Sequence, residues 1–291
     1  MSHKPALRVP VRTLSEGPSS LDVIAARYVV VVHRLQVGDA LLLFDGAAHK
    51  EANALITGTS PLQVEVGAVR PATKMAPRNI TWIHALPKGD KADAIVRDAT
   101  ELGATTIQFV HSSRSIVRLD VDRAASRVAR WERIATEAAR QCGRGDVPNI
   151  LPIASWEDAC RSASGEKFCL YEEASTRVLA SAFSADRLVF AVGPEGGLEP
   201  SEVEVARAQG FSIVNLGELI LRTETVCAAV LGAALTSDGA GLNQILALSL
   251  SLRGMSDVTF TSVPTAAGTR GSAVLRDADA AARAYARAFK A

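Results

Sequence analysis

The chain has 291 residues, 48% of them hydrophobic and 22% charged, with a formal net charge of +1. That length suffices for two modest domains and that apolar content for a sizeable core, which excludes a low-complexity or coil-only chain. The near-neutral balance also excludes a whole-chain electrostatic pull on nucleic acid, so any such binding has to come from local basic patches.

Cys142, Cys160, Cys169 and Cys227 show no C-x-x-C spacing. They are expected to be inert thiols in a reducing cytosol. His3, His33, His49, His84 and His111 are scattered, so no metal site is expected. The opening stretch MSHKPALRVPVRTLSEGPSS lacks an apolar secretory segment. No run approaches the length of a membrane span. A soluble cytoplasmic protein is expected.

Residues 1–72 read as all-β. Tyr28–Val32 is a β-branched run that predicts a strand. Val37-Gly38-Asp39 is a turn, Ala40–Phe44 a second strand, and Asp45-Gly46 a hairpin signal. Glu51–Thr57 and Leu62–Val69 continue the pattern, with Gly58–Pro61 between them. Short strands separated by regular turns suggest a small barrel. Pro71–Pro77, PATKMAP, reads as a linker.

An α/β domain is expected over residues 78–236. Ile80–Leu86 is a strand, Pro87–Asp90 a turn with Asp90 as helix cap, Lys91–Leu102 a helix ended by Gly103, and Thr106–Val110 a strand. This order implies a parallel, right-handed crossover. Asp122–Gln141 is a long helix with Trp131, Ile134, Ala135 and Ala138 on one stripe and Arg123, Arg127, Arg130, Arg133 and Arg140 on its polar side. Trp156–Arg161 reads as a short helix and Lys167–Tyr171 as a strand that ends in Glu172-Glu173.

Two strand-loop-helix units follow. Leu188–Val192 is a continuous apolar run, as expected of a strand buried on both faces. It ends in Gly193-Pro194-Glu195-Gly196-Gly197, a tight turn whose backbone can approach a ligand closely. Glu199-Pro200-Ser201 opens a helix, with Ser201 and Glu204 reading as a capping box. Phe211–Leu216 is the next strand, stopped by Gly217, and Leu219–Thr225 leads into an apolar helix over Val226–Leu235. Two glycine loops at adjacent strand ends would form a crevice, the usual ligand position in an open α/β sheet. No dinucleotide or P-loop glycine pattern accompanies them, so the ligand is not expected to be held by phosphates.

GPEGG followed by LG-x-x-ILRTET resembles the RsmE family of SPOUT methyltransferases. HRLQVGDALLLFDG, LPKGDK and the ELG and Q-x-x-R stretches extend the resemblance over most of the first 236 residues. It implies an N-terminal PUA-like barrel and a SPOUT α/β domain with a trefoil knot. It also implies a homodimer that uses S-adenosylmethionine to methylate N3 of a uridine in small-subunit (16S) ribosomal RNA. In that light, Tyr171, Glu172, Val192, Gly193, Pro194, Gly196, Gly197, Leu216, Gly217, Ile220, Leu221 and Thr223 are expected to hold the cofactor. Arg8, Arg12, Arg34, Lys88, Lys91, Arg114, Arg118 and Arg144 are the candidate RNA contacts, because phosphates need cations. Three departures stand out. Tyr28 replaces a His of the family pattern, Asp98 a Lys, and Arg140 a Glu.

Uracil N3 carries a proton at neutral pH, so the site has to take that proton, stabilise the resulting anion, or both. Arg222 is the candidate for anion stabilisation, because a guanidinium offers forked donors. Glu195, Glu224 or a water is the candidate acceptor. The apolar helix Val226–Leu235 is a candidate subunit interface, or else is buried within one subunit. A ribose 2′-O-methyltransferase and a catalytically silent RNA-binding assembly factor are the alternatives. Residues 237–291 lie beyond the resemblance and receive no function.

Overall fold

The computed structural model describes residues 6–117, 119–178, 183 and 185–236. Arg118 and the whole segment after Thr236, including Asp277–Phe289, whose alanine- and arginine-rich sequence predicts an amphipathic helix, lie outside the described residues.

Alternating apolar and polar residues build the N-terminal part. Strands β1 (Leu7–Pro10), β2 (Gly17–Ser20), β3 (Ala40–Asp45), β4 (Lys50–Thr59), β5 (Leu62–Val66) and β6 (Arg70–Pro71) form one six-stranded sheet. Its order is β1-β3-β4-β5-β2, with β6 on β4. In β5 the sequence LQVEV alternates strictly between buried and exposed. Leu41, Leu43, Ala54, Ile56, Leu62 and Val64 thereby share one apolar cluster with Val9 and Val29. The Asp45-Gly46 hairpin forms as expected: the Asp45 carboxylate accepts from the N–H groups of Ala47 and Ala48 at 3.1 and 2.9 Å.

Tyr28–Val32 is not a strand. The chain forms helix α1 (Val23–Ala26) and runs on into a π-helical stretch, Arg27–Val32. Asp22 caps this helix, its carboxylate accepting from Ala25 N at 2.8 Å. Ala25 and Val29, four residues apart, are buried, whereas Val31 and Val32 face out. A local cap and one buried helical stripe override the β preference of a valine run.

Continuous apolar runs build the second part. It comprises β7 (Asn79–Ala85), α2 (Lys91–Glu101), β8 (Thr106–His111), α3 (Val121–Cys142), β9 (Asn149–Ser155), α4 (Trp156–Ser162), β10 (Glu166–Leu170), β11 (Arg187–Val192), α5 (Pro200–Ala208), β12 (Ser212–Val214) and α6 (Thr223–Thr236). The sheet order is β12-β10-β11-β7-β8-β9, with every pairing parallel. Trp82, Phe109 and Phe190 pack with α2, α3 and α6, while Ile83, Val110 and Val189 pack with α4 and α5. The sheet is thus covered on both faces, which is why β11 reads RLVFAV with its last five residues buried. The order corrects one expectation. The two glycine loops follow β11 and β12, which are not neighbours: β10 lies between them. A second correction concerns α5, which is opened by Glu199 and Glu202 rather than Ser201 and Glu204. The Glu202 carboxylate accepts from Glu199 N at 2.9 Å and from Ser113 N at 2.7 Å.

Arg144 was expected at the surface, against RNA, and is buried instead. Its guanidinium donates to Thr100 O at 2.6 Å and Ala104 O at 3.0 Å and forks onto Asp146. The tight turn after α3, with Gly143 at φ +84°, tucks the side chain beneath the end of α2. Arg8 is likewise drawn inward: it donates to Arg144 O at 3.1 Å, pairs with Glu51 at 3.5 Å and lies over the Phe44 ring. Asp146 also accepts from Ala76 N at 3.2 Å. These two arginines therefore join the first sheet to the second, and neither presents a free cation to a ligand.

Removing one partner of a buried pair strands the other. Arg144→Ala should therefore lower unfolding stability by about 3–5 kcal/mol in urea titrations. A loss below about 1 kcal/mol, the worth of an exposed pair, would contradict this placement.

Candidate functional site

In an all-parallel sheet the strands' C-terminal ends share one edge. Here β8 and β9 lie to one side of β7 and β11 and β10 to the other, so the crevice expected of a switch point opens beside β7. A cavity of about 360 Å³ lies at this edge. Its walls are Leu170, Tyr171 and Glu172 at the end of β10, Val192–Glu195 and Gly197 at the end of β11, and Asn215–Thr223 after β12, with Lys91 and Val226.

Two glycines in the first loop are required, Gly193 by space and Gly197 by its left-handed backbone. A Cβ on Gly193 would lie 2.9 Å from Leu198 Cγ, and one on Gly197, at φ +73°, 2.5 Å from Glu172 Oε1. The loop is held from outside. Arg114 donates to Glu199 at 2.7 Å and to Gly196 O at 2.9 Å, and Lys88 N donates to Glu195 at 3.1 Å. Gly196 thus sits under Arg114 rather than in the cavity wall. The second loop is anchored by Asn215, a residue that sequence reasoning passed over. Its side chain accepts from Gly217 N at 3.1 Å and donates to Ala174 O at 2.5 Å. An Asn two residues before a glycine at a strand end is a readable turn signal.

The loops meet at Thr223, the first residue of α6. Its hydroxyl lies 3.2 Å from Gly193 O and 3.0 Å from His84 Nε2. His84 was the second residue missed.

Charge gathers on one side of the opening. Lys91 Nζ lies 3.0 Å from Glu195 and 3.4 Å from Glu224. Glu224 stands just outside the wall. Burial pushes the Glu195 carboxyl up. Its own backbone N–H, Lys91 and Lys88 N outweigh that, and hold it below the usual carboxylate value. Lys91 is pushed up, chiefly by its hydrogen bond to Glu195. Arg222 is exposed at the cavity wall and has no ion pair among the described residues. Arg12, Arg34 and Lys88 are exposed.

An α/β domain with a loop-lined cleft at its switch point has the form of a cofactor-binding enzyme domain, and residues 74–235 match the model of the RNA methyltransferase domain family. The chain is 32% identical to the Ribosomal RNA small subunit methyltransferase E of Bacillus subtilis over 225 residues, 73% of this chain and 88% of that one. It is 31% identical to that of Synechocystis sp. over 229 residues, 75% of this chain and 73% of the other. The crystal structure of a Ribosomal RNA small subunit methyltransferase E from Neisseria gonorrhoeae bound to S-adenosyl methionine superposes with a TM-score of 0.72 at 33% identity, covering 79% of this chain and 97% of that one. The chain therefore belongs to the ribosomal RNA small subunit methyltransferase E family.

Because the Glu195 carboxyl is depressed, its contribution to stability is present above the unfolded carboxylate value and is lost as pH falls through the folded one. Carboxyl NMR should give Glu195 a midpoint below the ordinary value, and Lys91→Met should move it upward. A midpoint unchanged by Lys91→Met would contradict the pairing.

Proposed function

We propose that the protein methylates N3 of a specific uridine in small-subunit (16S) ribosomal RNA, with S-adenosylmethionine as donor. The observation that carries this reading is the single cavity into which both glycine loops converge. The residues present suit that donor. Leu170, Val192, Leu216 and Val226 offer an apolar slot for an adenosine ring, and loop backbone lies within reach of its polar edge. Glu172, Glu195 and Glu218 outnumber Lys91 and Arg222 around the opening, which favours a molecule that carries a sulfonium and an ammonium. When bound, the donor supplies a methyl group on a positively charged sulfur.

The chain's own residues then have three tasks. The loop backbones of Gly193–Gly197 and Leu216–Leu221, with Tyr171, Glu172 and Thr223, hold and orient. Arg222 donates to the uracil carbonyl oxygens as N3 loses its proton. A carboxylate or a water takes that proton. Its own backbone N–H, Lys91 and Lys88 N weaken Glu195 as a base, and Lys91 also pairs with Glu224, so the acceptor is one of these carboxylates or a water.

Residues 1–72 are read as a PUA-like RNA-gripping domain and 78–236 as a SPOUT domain whose glycine loops are threaded as a trefoil knot. Arg12, Arg34, Lys88, Lys91 and Arg114 are the cations proposed to meet phosphate. Leu219 and Ile220 line the cavity wall yet remain 81% and 86% exposed. Apolar residues so placed support a homodimer in which the partner subunit completes the pocket. The buried face of α6, with Cys227, Val230, Leu231 and Ala234, packs inside the subunit, so only its outer face, with Ala228 and Ala229, remains for such a contact. No helix among the described residues is long and apolar enough to cross a membrane. A cytoplasmic site of action is part of the proposal.

The test is methyl transfer to small-subunit RNA, free and within particles, with the product nucleoside identified by mass spectrometry. N3-methyluridine is expected, and Arg222→Ala should lower turnover by about 10²-fold, as loss of one anion-stabilising group does. A 2′-O-methyl product, or no transfer to either substrate, would overturn the reading.

A further inference from the structure

His84 is the penultimate residue of β7 and has no exposed surface. Its register partner across the sheet is Val192, the residue before Gly193, and the rings of Trp82 and Phe109 flank it at centroid distances of 6.1 and 6.0 Å. A buried imidazole in an apolar wall is costly unless both nitrogens are satisfied, and both are. Nδ1 lies 2.7 Å from Ala85 O. A carbonyl can only accept, so the Nδ1 atom bears a proton. Burial pushes the imidazole below its ordinary value, against the backbone groups of Ala85 and Thr223 and the facing charges of Glu195 and Glu224. In the neutral ring that burial favours, Nε2 is a lone pair. The Thr223 hydroxyl, 3.0 Å away, has to donate to it, although the same hydroxyl lies 3.2 Å from Gly193 O.

We infer that His84 is a positioning residue for the cofactor cleft, holding the Thr223 hydroxyl against the floor of the sheet so that the two loops keep one fixed separation. The reason lies in the topology. The loops leave β11 and β12, which β10 keeps apart, so no ladder hydrogen bond joins them. The direct contact between them, Thr223 Oγ1 to Gly193 O at 3.2 Å, competes for the one hydroxyl proton that the closer imidazole takes. The imidazole is therefore the acceptor that ties Thr223 to β7, the strand paired with β11, and it holds the start of α6 in contact with the first loop. This inference rests on the proposed cofactor reading, and its test separates the two.

Binding of S-adenosylmethionine to the full chain is measured by calorimetry, with melting temperatures alongside, for the wild type, His84→Leu, His84→Gln, Thr223→Val and the His84→Leu/Thr223→Val pair. Leucine fills the space without an acceptor, glutamine restores one, and valine removes the hydroxyl. His84→Leu and Thr223→Val should each weaken binding by about tenfold. The pair should be no worse than either alone, because both remove the same bond. His84→Gln should recover to within about threefold of the wild type. In turnover assays the donor's KM should rise more than kcat falls. If His84→Leu does not fold, Thr223→Val, which leaves the imidazole in place, must still weaken binding. Wild-type binding with an unaffected Thr223→Val or His84→Leu overturns the inference, as do losses that multiply in the pair. No binding by the wild type overturns the cofactor reading itself.

Discussion

Two loops that leave a sheet from strands that are not neighbours share one cleft only if something other than strand pairing joins them. In this chain that constraint falls on Thr223. It opens α6, reaches the carbonyl of Gly193 and meets the buried ring of His84. The rest of the site is arranged around this junction. Arg114 and Lys88 hold the first loop from outside, and Asn215 holds the second from below. A cleft fixed by hydrogen bonds to main chain leaves its inner wall apolar and its charges at the opening. That arrangement suits a ligand with an apolar ring at one end and a reactive cationic centre at the other.

The charged groups divide by depth, and depth decides their work. Arg8 and Arg144 lie deep and join the two sheets through main-chain carbonyls, Glu51 and Asp146. Their guanidiniums are turned inward onto these partners, and desolvated pairs of this kind are far costlier to break than rim pairs. Lys91, Glu195 and Glu224 sit at the opening in a shared arrangement, where a single proton or an arriving anion can redistribute the contacts. Arg222 stands beside them without a carboxylate partner among the described residues. A cation without an ion pair, next to a cavity, is free to meet developing negative charge.

Much of the site was legible in the sequence, for a physical reason. Glycine-rich turns are local: Gly193–Gly197 and Gly217 announce close backbone approach from residue type alone, and the structure puts both loops around one cavity. Continuous apolar runs likewise announce a two-sided sheet. What escaped was non-local. That β10 lies between β11 and β12 depends on pairing across more than forty residues of chain, as Phe168 with Ser212 shows. The burial of Arg144 depends on carbonyls of Thr100, in the last turn of α2, and of Ala104, just beyond it. His84 sits in an apolar strand where an isolated histidine has no sequence partner to betray it. The Tyr28–Val32 misreading is different, because the correcting signal was local. Asp22 before a run spaced like a helix is a cap, and β-branched composition concealed it.

A crystal structure of the protein grown with S-adenosylmethionine tests the central claim most directly. The account predicts one molecule folded between the Gly193–Gly197 turn and the Leu216–Thr223 loop, with its methyl carbon toward Arg222 and the opening. Density for the donor at another place, or a cleft that stays closed by its own side chains at saturating donor, would contradict it.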